Sequence, residues 1–288
     1  MSDKLFETAA KIRDIPNLPA IPIAAQQILA ALEKDAISMG ALAKIIDTDP
    51  SLTSRIIGVA NSAYFGSKQP IYTVKDAVTR VLGTNNVFSI ALSVVLAGPF
   101  KANKCPGFHV ELYWAQAIKT AILAQKIASH LASPVAGLAE KSYLCGLLHN
   151  IGLLVLAHTY PDKVGQVVSI EGLEPERDIS EIEDRLIGID RRRAGAILAK
   201  KWHIPAEVVS VIEHQHDLSY RGSHWQLCHL VGLCARWAYA LALGQEVVVD
   251  PLDVAPLQLP VDTVVTSVAE VRSKVSEIHK MALMLAAR

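Results

Sequence analysis

Three clusters in this chain hold residue types that can do chemistry. The first is Gly146-Leu147-Leu148-His149-Asn150-Ile151-Gly152, an imidazole set in an apolar run. His149 could ligate a metal through either ring nitrogen, but its neighbours Cys145 and Gly146 bring no charge, and a hydrogen-bonded core histidine is the preferred reading. The second is His214-Gln215-His216-Asp217, two imidazoles and a carboxylate that could take zinc or nickel. On a helix, residues two apart point to nearly opposite sides, so a structural or exposed histidine pair is preferred there as well. Metal ligation is therefore not expected, with His149, His214 and His216 as the weak candidates. The third cluster is Arg191-Arg192-Arg193, just after Asp190. Guanidinium forks suit phosphates, which makes the run a candidate anion or nucleotide site. Cations at a helix start oppose the macrodipole by roughly 0.3–1 kcal/mol each, however, and Glu181, Glu183 and Asp184 stand ready to answer them, so salt bridging is preferred. His224 and His229 receive no role. The chain has no Gly-rich phosphate loop, no Gly-x-Ser-x-Gly elbow and no Cys-His nucleophile arrangement, so serine and cysteine hydrolase readings fall away.

The elements that must position these groups all repeat at the helical period, and the fold expected is all-α. Asp49-Pro50 starts a helix whose apolar stripe runs through Leu52, Ile56 and Val59. Thr73 with Asp76 resembles a capping box, followed by Val78, Val81 and Leu82 and a stop at Gly83. Asn61, among small residues, is expected to bond backbone at a helix end. Lys101 to Gly107 breaks the pattern, and a long helix is expected from about His109 to Leu131. Leu144, Leu147, Leu148 and Ile151 mark the next helix. From Asp162 to Asp190 nine acids face three bases, which reads as a solvated helical face. A helix follows from Asp190 through Ile197, Leu198 and Trp202, and Pro205 opens another. Pro251, Pro256 and Pro260 predict a linker, followed by one amphipathic helix through Val264, Val268, Val271, Val275, Ile278 and Met281 that packs on the body or on a partner.

Composition bounds the function. The chain has 288 residues, 51% hydrophobic and 19% charged, and 28 basic side chains balance 28 acidic ones. No global field recruits nucleic acid or an anionic membrane, and only 6% of residues are aromatic, so a nucleic-acid surface is not expected. Cys105, Cys145, Cys228 and Cys234 form no Cys-x-x-Cys pair and read as reduced thiols. The start, Met-Ser-Asp-Lys-Leu-Phe-Glu, lacks an export signal, and a cytoplasmic location is expected. Tyr143 to Pro161 is uncharged but holds His149, Asn150 and His158, and is read as core helices meeting at a turn rather than a membrane span.

Two parts of the chain resemble one family. Leu18-Pro19-Ala20-Ile21-Pro22, Asp49-Pro50-Ser51-Leu52, Val59-Ala60-Asn61-Ser62-Ala63-Tyr64-Phe65, Thr73-Val74-Lys75-Asp76-Ala77-Val78 and Leu82-Gly83 form an ordered series. It resembles the N-terminal half of the HDOD module, a bacterial all-α domain related to the HD phosphohydrolases. Gly146 to Gly152 resembles the His-Asp signature of the HD superfamily, and Asp190, Trp202, Ile204-Pro205 and Ile212-Glu213-His214 continue the series. The resemblance covers about residues 14–216. It implies a helical subdomain over 1–100, a degenerate HD-like core over 105–245, and beyond it the linker and last helix over 246–288.

An HD hydrolase holds hard divalent cations by imidazole and carboxylate in one helical cleft. By motif, the early His position reads Gln116, the Asp of the pair reads Asn150, the late Asp falls near Arg236, and the position after Asp190, often His in such modules, is Arg191. Neutral amides and cations stand where charge-bearing ligands belong. The resemblance therefore implies a non-catalytic regulatory protein without cofactor, acting through protein partners in bacterial signalling, among them receiver domains, cyclic-dinucleotide enzymes or a second copy of the chain. The alternatives are a metal-dependent phosphohydrolase or phosphodiesterase with ligands rerouted through His214 and His216, and a receptor for a phosphorylated nucleotide messenger at Arg191 to Arg193.

Overall fold

A computed structural model describes residue 15 and residues 18–32, 39–131, 137–173 and 179–287, and every regular element among them is helical. The segment read above for an export signal, and residues 174–178 of the acidic run, lie outside the described residues. The N-terminal part comprises α1 (Ile23–Leu32), α2 (Met39–Asp47), α3 (Pro50–Ala60), α4 (Val74–Asp76) and α5 (Thr84–Ala97). Asp49 caps α3 by accepting from the Ser51 and Leu52 amides, with Pro50 at the first position. Asn61 ends the same helix, donating to the Ile57 and Ile71 carbonyls and accepting from the Ile71 amide at 2.8 Å. Thr73 accepts from the Asp76 amide at 3.0 Å and donates to its carboxylate. The stretch that follows departs from the ordinary helix expected. Ala77–Leu82 winds as a π turn, closed by the Gly83 amide reaching back to Val78 O at 3.0 Å. Gly83 can take this exit because its φ is +76°.

After a short 3₁₀ turn at Ala102–Lys104 comes α6 (Val110–Ala128), the central helix, which packs against four others: α7 (Leu138–Leu148), α13 (Trp225–Ala242), α15 (Val261–Ser273) and α16 (Val275–Ala286). Between α7 and α13 lie α8 (Ile151–Thr159), α9 (Pro161–Leu173), α10 (Ile179–Leu186), α11 (Arg191–Lys201) and α12 (Ala206–His214). Buried side chains from Ile15 to Leu285 form one continuous apolar cluster. The run Leu138–Thr159 is long and apolar enough to cross a membrane, but 78% of its most apolar 18-residue stretch is buried inside the fold and it turns at His149-Asn150, as core helices do.

The C-terminal region differs from the linker and single helix expected. Pro251 sits at the first turn of α14 (Pro251–Val254), capped by Asp250, and the chain then breaks at Lys274 between α15 and α16. Both helices pack on the body: α15 lies on α6, and α16 lies on α6 and on α3, where Gly58 makes room for Met284 and Arg55 donates to Leu285 O at 3.3 Å. His229 of α13 ties α14 down, one ring nitrogen 2.6 Å from Asp253 O and the other 3.2 Å from Leu218 O.

One buried charge in this core makes a prediction. Lys119 of α6 is 3% exposed, and burial pulls its ammonium down from 10.5 to about 8. Between those values the unfolded chain binds more protons than the folded one, so stability rises with pH, and below about 8 the full cost of burying the charge is present. Lys119→Met is expected to stabilise the protein at pH 7 by roughly 1–3 kcal/mol. In paired thermal melts the advantage should close towards pH 10.5, and equal midpoints at pH 7 would refute this account.

Candidate functional site

The turn between α7 and α8 places His149 at the end of one helix and Asn150 at the start of the next. His149 is buried, and its Nδ1 lies 2.7 Å from Gly146 O. A carbonyl only accepts, so Nδ1 carries the proton of the neutral ring. Gln215 Nε2 donates to His149 O at 2.7 Å, fastening the turn to the end of α12.

Three glycines fix this geometry, because each lies where two helices touch backbone to backbone. A Cβ on Gly146 would stand 2.4 Å from Ala121 Cα, one on Gly152 1.7 Å from Arg191 O, and one on Gly232 1.9 Å from Gln215 O. The His149 turn is thus pressed between α6 and the start of α11, with α13 closing on Gln215.

Arg191 opens α11 beside that turn. Its backbone amide and Nε both donate to the Glu183 carboxylate, at 2.8 and 2.6 Å, and its Nη2 approaches Glu171 to 3.9 Å. The Arg191 side chain is 11% exposed and the Glu183 side chain 0%. Burial pushes the Glu183 carboxyl up, and Arg191 pulls against it through charge and both hydrogen bonds. Tyr239 of α13 lies close enough to this group for burial and the Glu171 charge to push its phenol up, with Arg191 pulling the other way. Asp190 caps α11 through the Arg193 amide at 2.9 Å and also accepts from the Arg192 and Arg193 side chains; Arg193 pairs in addition with Asp184. Burial would raise the Asp190 pKa, but these donors bring it below the usual carboxylate value. Each guanidinium of the run therefore already faces a carboxylate of the same chain, which is how three cations are held at a helix start.

The acidic stretch is not the solvated face expected throughout. Glu183 is buried because its partner folds back from eight residues later, while Glu181 stays exposed. Gln116 is half-buried, Nε2 donating to Ala235 O at 2.9 Å and a buried Oε1 without a hydrogen-bond partner. Arg236 is not brought to this centre: its guanidinium is about half exposed and pairs with Asp253 of α14. The α13 residue close enough to feel the charges of Arg191 and Glu171 is Tyr239, one turn further on, and helical spacing from Arg236 was the signal that could have found it. Gln215 was missed in the same way. Of the His214-Gln215-His216 triplet, the middle residue turns into the core, while His214 stacks on Tyr220 at 3.9 Å and His216 is exposed.

Burial sets the titration of His149. Burial, above all, and then the charges of His216 and Arg191 pull the imidazole from 6.5 to about 4, against the Gly146 hydrogen bond. The unfolded chain takes up this proton first, so stability held above pH 6.5 is lost as the pH falls towards 4, by about 3 kcal/mol. Urea midpoints should show that fall in the wild type and a flatter profile over the same range in His149→Gln. Identical profiles would remove His149 from the account of acid lability.

The donor set does not fit a divalent cation. Among the described residues, no three His, Cys, Asp or Glu side chains gather where a metal could sit. Around the turn stand one imidazole whose Nδ1 is spent on a carbonyl, the Gln215 amide spent on the His149 carbonyl, and a guanidinium hydrogen-bonded to Glu183 and 3.9 Å from Glu171. The cysteines are buried, with burial raising each thiol above its ordinary value, Cys228 to about 12, so none is a ready nucleophile.

Comparisons with known proteins agree on what this arrangement is similar to. The family model of the HDOD domain matches residues 18–218. A candidate signal transduction protein from Marinobacter aquaeolei VT8 is 29% identical, with a TM-score of 0.84 over 99% of this chain and 66% of that one. An HDOD domain protein of unknown function from Geobacter sulfurreducens is 21% identical, with a TM-score of 0.76 over 99% of this chain and 98% of that one, and shows the same fold. So does a candidate phosphohydrolase from Shewanella amazonensis SB2B, at 21% identity and a TM-score of 0.68 over 97% and 96% of the two chains. An uncharacterized protein of Treponema pallidum (strain Nichols) is 27% identical over 215 residues, 74% of this chain, which spans 40% of that relative's length.

Proposed function

Because this chain belongs to the HDOD family, we propose that it is a regulatory protein of signal transduction that acts by binding other proteins and carries out no hydrolysis at its HD-like centre. The observation that carries the reading is the content of that centre. Arg191 occupies it with Glu183 and Glu171, and amides stand at Gln116 and Asn150 where the metal pattern of the superfamily needs charged or imidazole ligands. The Marinobacter relative, described as a candidate signal transduction protein, supports the regulatory part. Receiver domains and cyclic-dinucleotide enzymes are the partners proposed, in the cytoplasm, where the four cysteines would stay reduced.

The reading is tested on full-length protein purified without a metal-affinity tag. Elemental analysis is expected to give far less than one transition-metal atom per chain, unchanged in His149→Ala, and bis(p-nitrophenyl) phosphate turnover with added manganese should match the protein-free control. Stoichiometric metal lost with His149, together with turnover, would replace this reading by a phosphohydrolase.

A further inference from the structure

Around the α7–α8 turn the chain has placed a fixed positive charge. The guanidinium of Arg191 is almost wholly buried and its Nη2 makes no hydrogen bond, so it is held there by Glu183 and Glu171 rather than by solvent. Its position leaves little freedom. Asp190 caps the helix that Arg191 begins, Gly152 meets the Arg191 carbonyl backbone to backbone, and the Arg191 amide is bonded to the same carboxylate as its side chain. Guanidinium stays protonated at any ordinary pH, and although burial works against the charge, Glu183 and Glu171 more than offset it and hold the Arg191 pKa above its ordinary value.

Resting on the functional reading above, we propose that the Arg191 guanidinium is the resident cation of this centre, doing for Glu183, Glu171 and the helices that carry them what a bound metal does elsewhere, and barring a divalent ion from the same place. Two physical reasons support the exclusion. Glu183 has both oxygens engaged by Arg191, so binding a metal there means breaking charge-assisted hydrogen bonds in a buried setting. A divalent ion would also sit within a few ångströms of a fixed like charge, with little water to screen the two. Gln215 Oε1 and, on α6, Gln116 Oε1 are buried acceptors without hydrogen-bond partners and are neutral, so they offer no charge in compensation.

Manganese titration of the full chain, with the free ion followed by electron paramagnetic resonance, tests the exclusion. Q116H/N150D/R191H should bind about one ion per chain, and wild type and Q116H/N150D, which returns an imidazole and a carboxylate but keeps Arg191, should bind it on the order of a hundredfold more weakly. Equal uptake by the double and triple variants overturns the proposal while leaving the functional reading intact. Stoichiometric uptake by wild type, lost in His149→Ala, overturns both.

A second measurement does not need the triple variant to fold. The thermal midpoint, or the refolding yield, of Arg191→Ala should recover by half or more on adding methylguanidinium chloride, and should not respond to the same concentration of tetramethylammonium chloride. No recovery, or equal recovery with both salts, would overturn the role assigned to the guanidinium.

Discussion

Alanine at position 152 is expected to prevent the core from assembling. The added Cβ would stand 1.7 Å from Arg191 O and 2.7 Å from Gly195 N, and both atoms belong to the backbone of α11. No rotamer relieves such a contact; α8 and α11 must separate along their whole packed length. Overpacking a core commonly costs about 1–3 kcal/mol, and a clash against backbone belongs at or beyond the top of that range. The expected result is insoluble protein, or a chain whose melting transition falls by many degrees. Gly40→Ala is the control, since nothing lies within 4 Å of a Cβ at that exposed position in α2. There the better helix propensity of alanine should stabilise by up to about 1 kcal/mol. A Gly152→Ala protein that melts with the wild type would mean that the two helices are not in backbone contact.

Breaking the Arg191–Glu183 pair is expected to have the next largest effect. Arg191→Met leaves a fully buried carboxylate whose two charge-assisted donors are gone, and losing one partner of a buried pair costs about 3–5 kcal/mol. Glu183 would meet part of that cost by taking up a proton, because burial already pushes its carboxyl upward and Arg191 is what opposes the shift. The Arg191→Met defect should therefore grow as the pH rises from 5 to 8, where holding the unpaired carboxylate ionised becomes harder to avoid. Glu183→Gln in the Arg191→Met background should recover part of the loss, giving a coupling of at least about 1 kcal/mol in a double-mutant cycle read by urea denaturation. Strictly additive costs would show that the two side chains act separately.

Much of this architecture can be read from the chain. Asp49, Thr73 and Asp190 announce helix starts because a short polar side chain before an apolar stripe has one economical use, and all three cap helices. The three arginines at a helix start required acids, and Glu183 and Asp184 supply them, with Asp190 and Glu171. The burial of Glu183 was not legible, since a carboxylate in an acidic run looks solvated until its partner's position in space is known. Lys274 was invisible for a different reason. The stripe from Val264 to Met281 continues across the break because α15 and α16 rest on the same core, so a backbone turn leaves no gap in the apolar pattern. Arg236 and Tyr239 differ by one helical turn, and one sequence alone does not say which of the two faces α6 and α11.

The HDOD match ends at residue 218, yet α13 lies wholly beyond it. From there α13 lends the Ala235 carbonyl to Gln116 and the close fit of Gly232 to Gln215. A fragment cut where the family ends would thus expose the long apolar face of α6 and leave buried amides facing water. In this protein the stretch that carries the family's recognisable pattern is shorter than the stretch that must fold together, and a library of fragments screened for soluble expression would find its boundary at the later of the two.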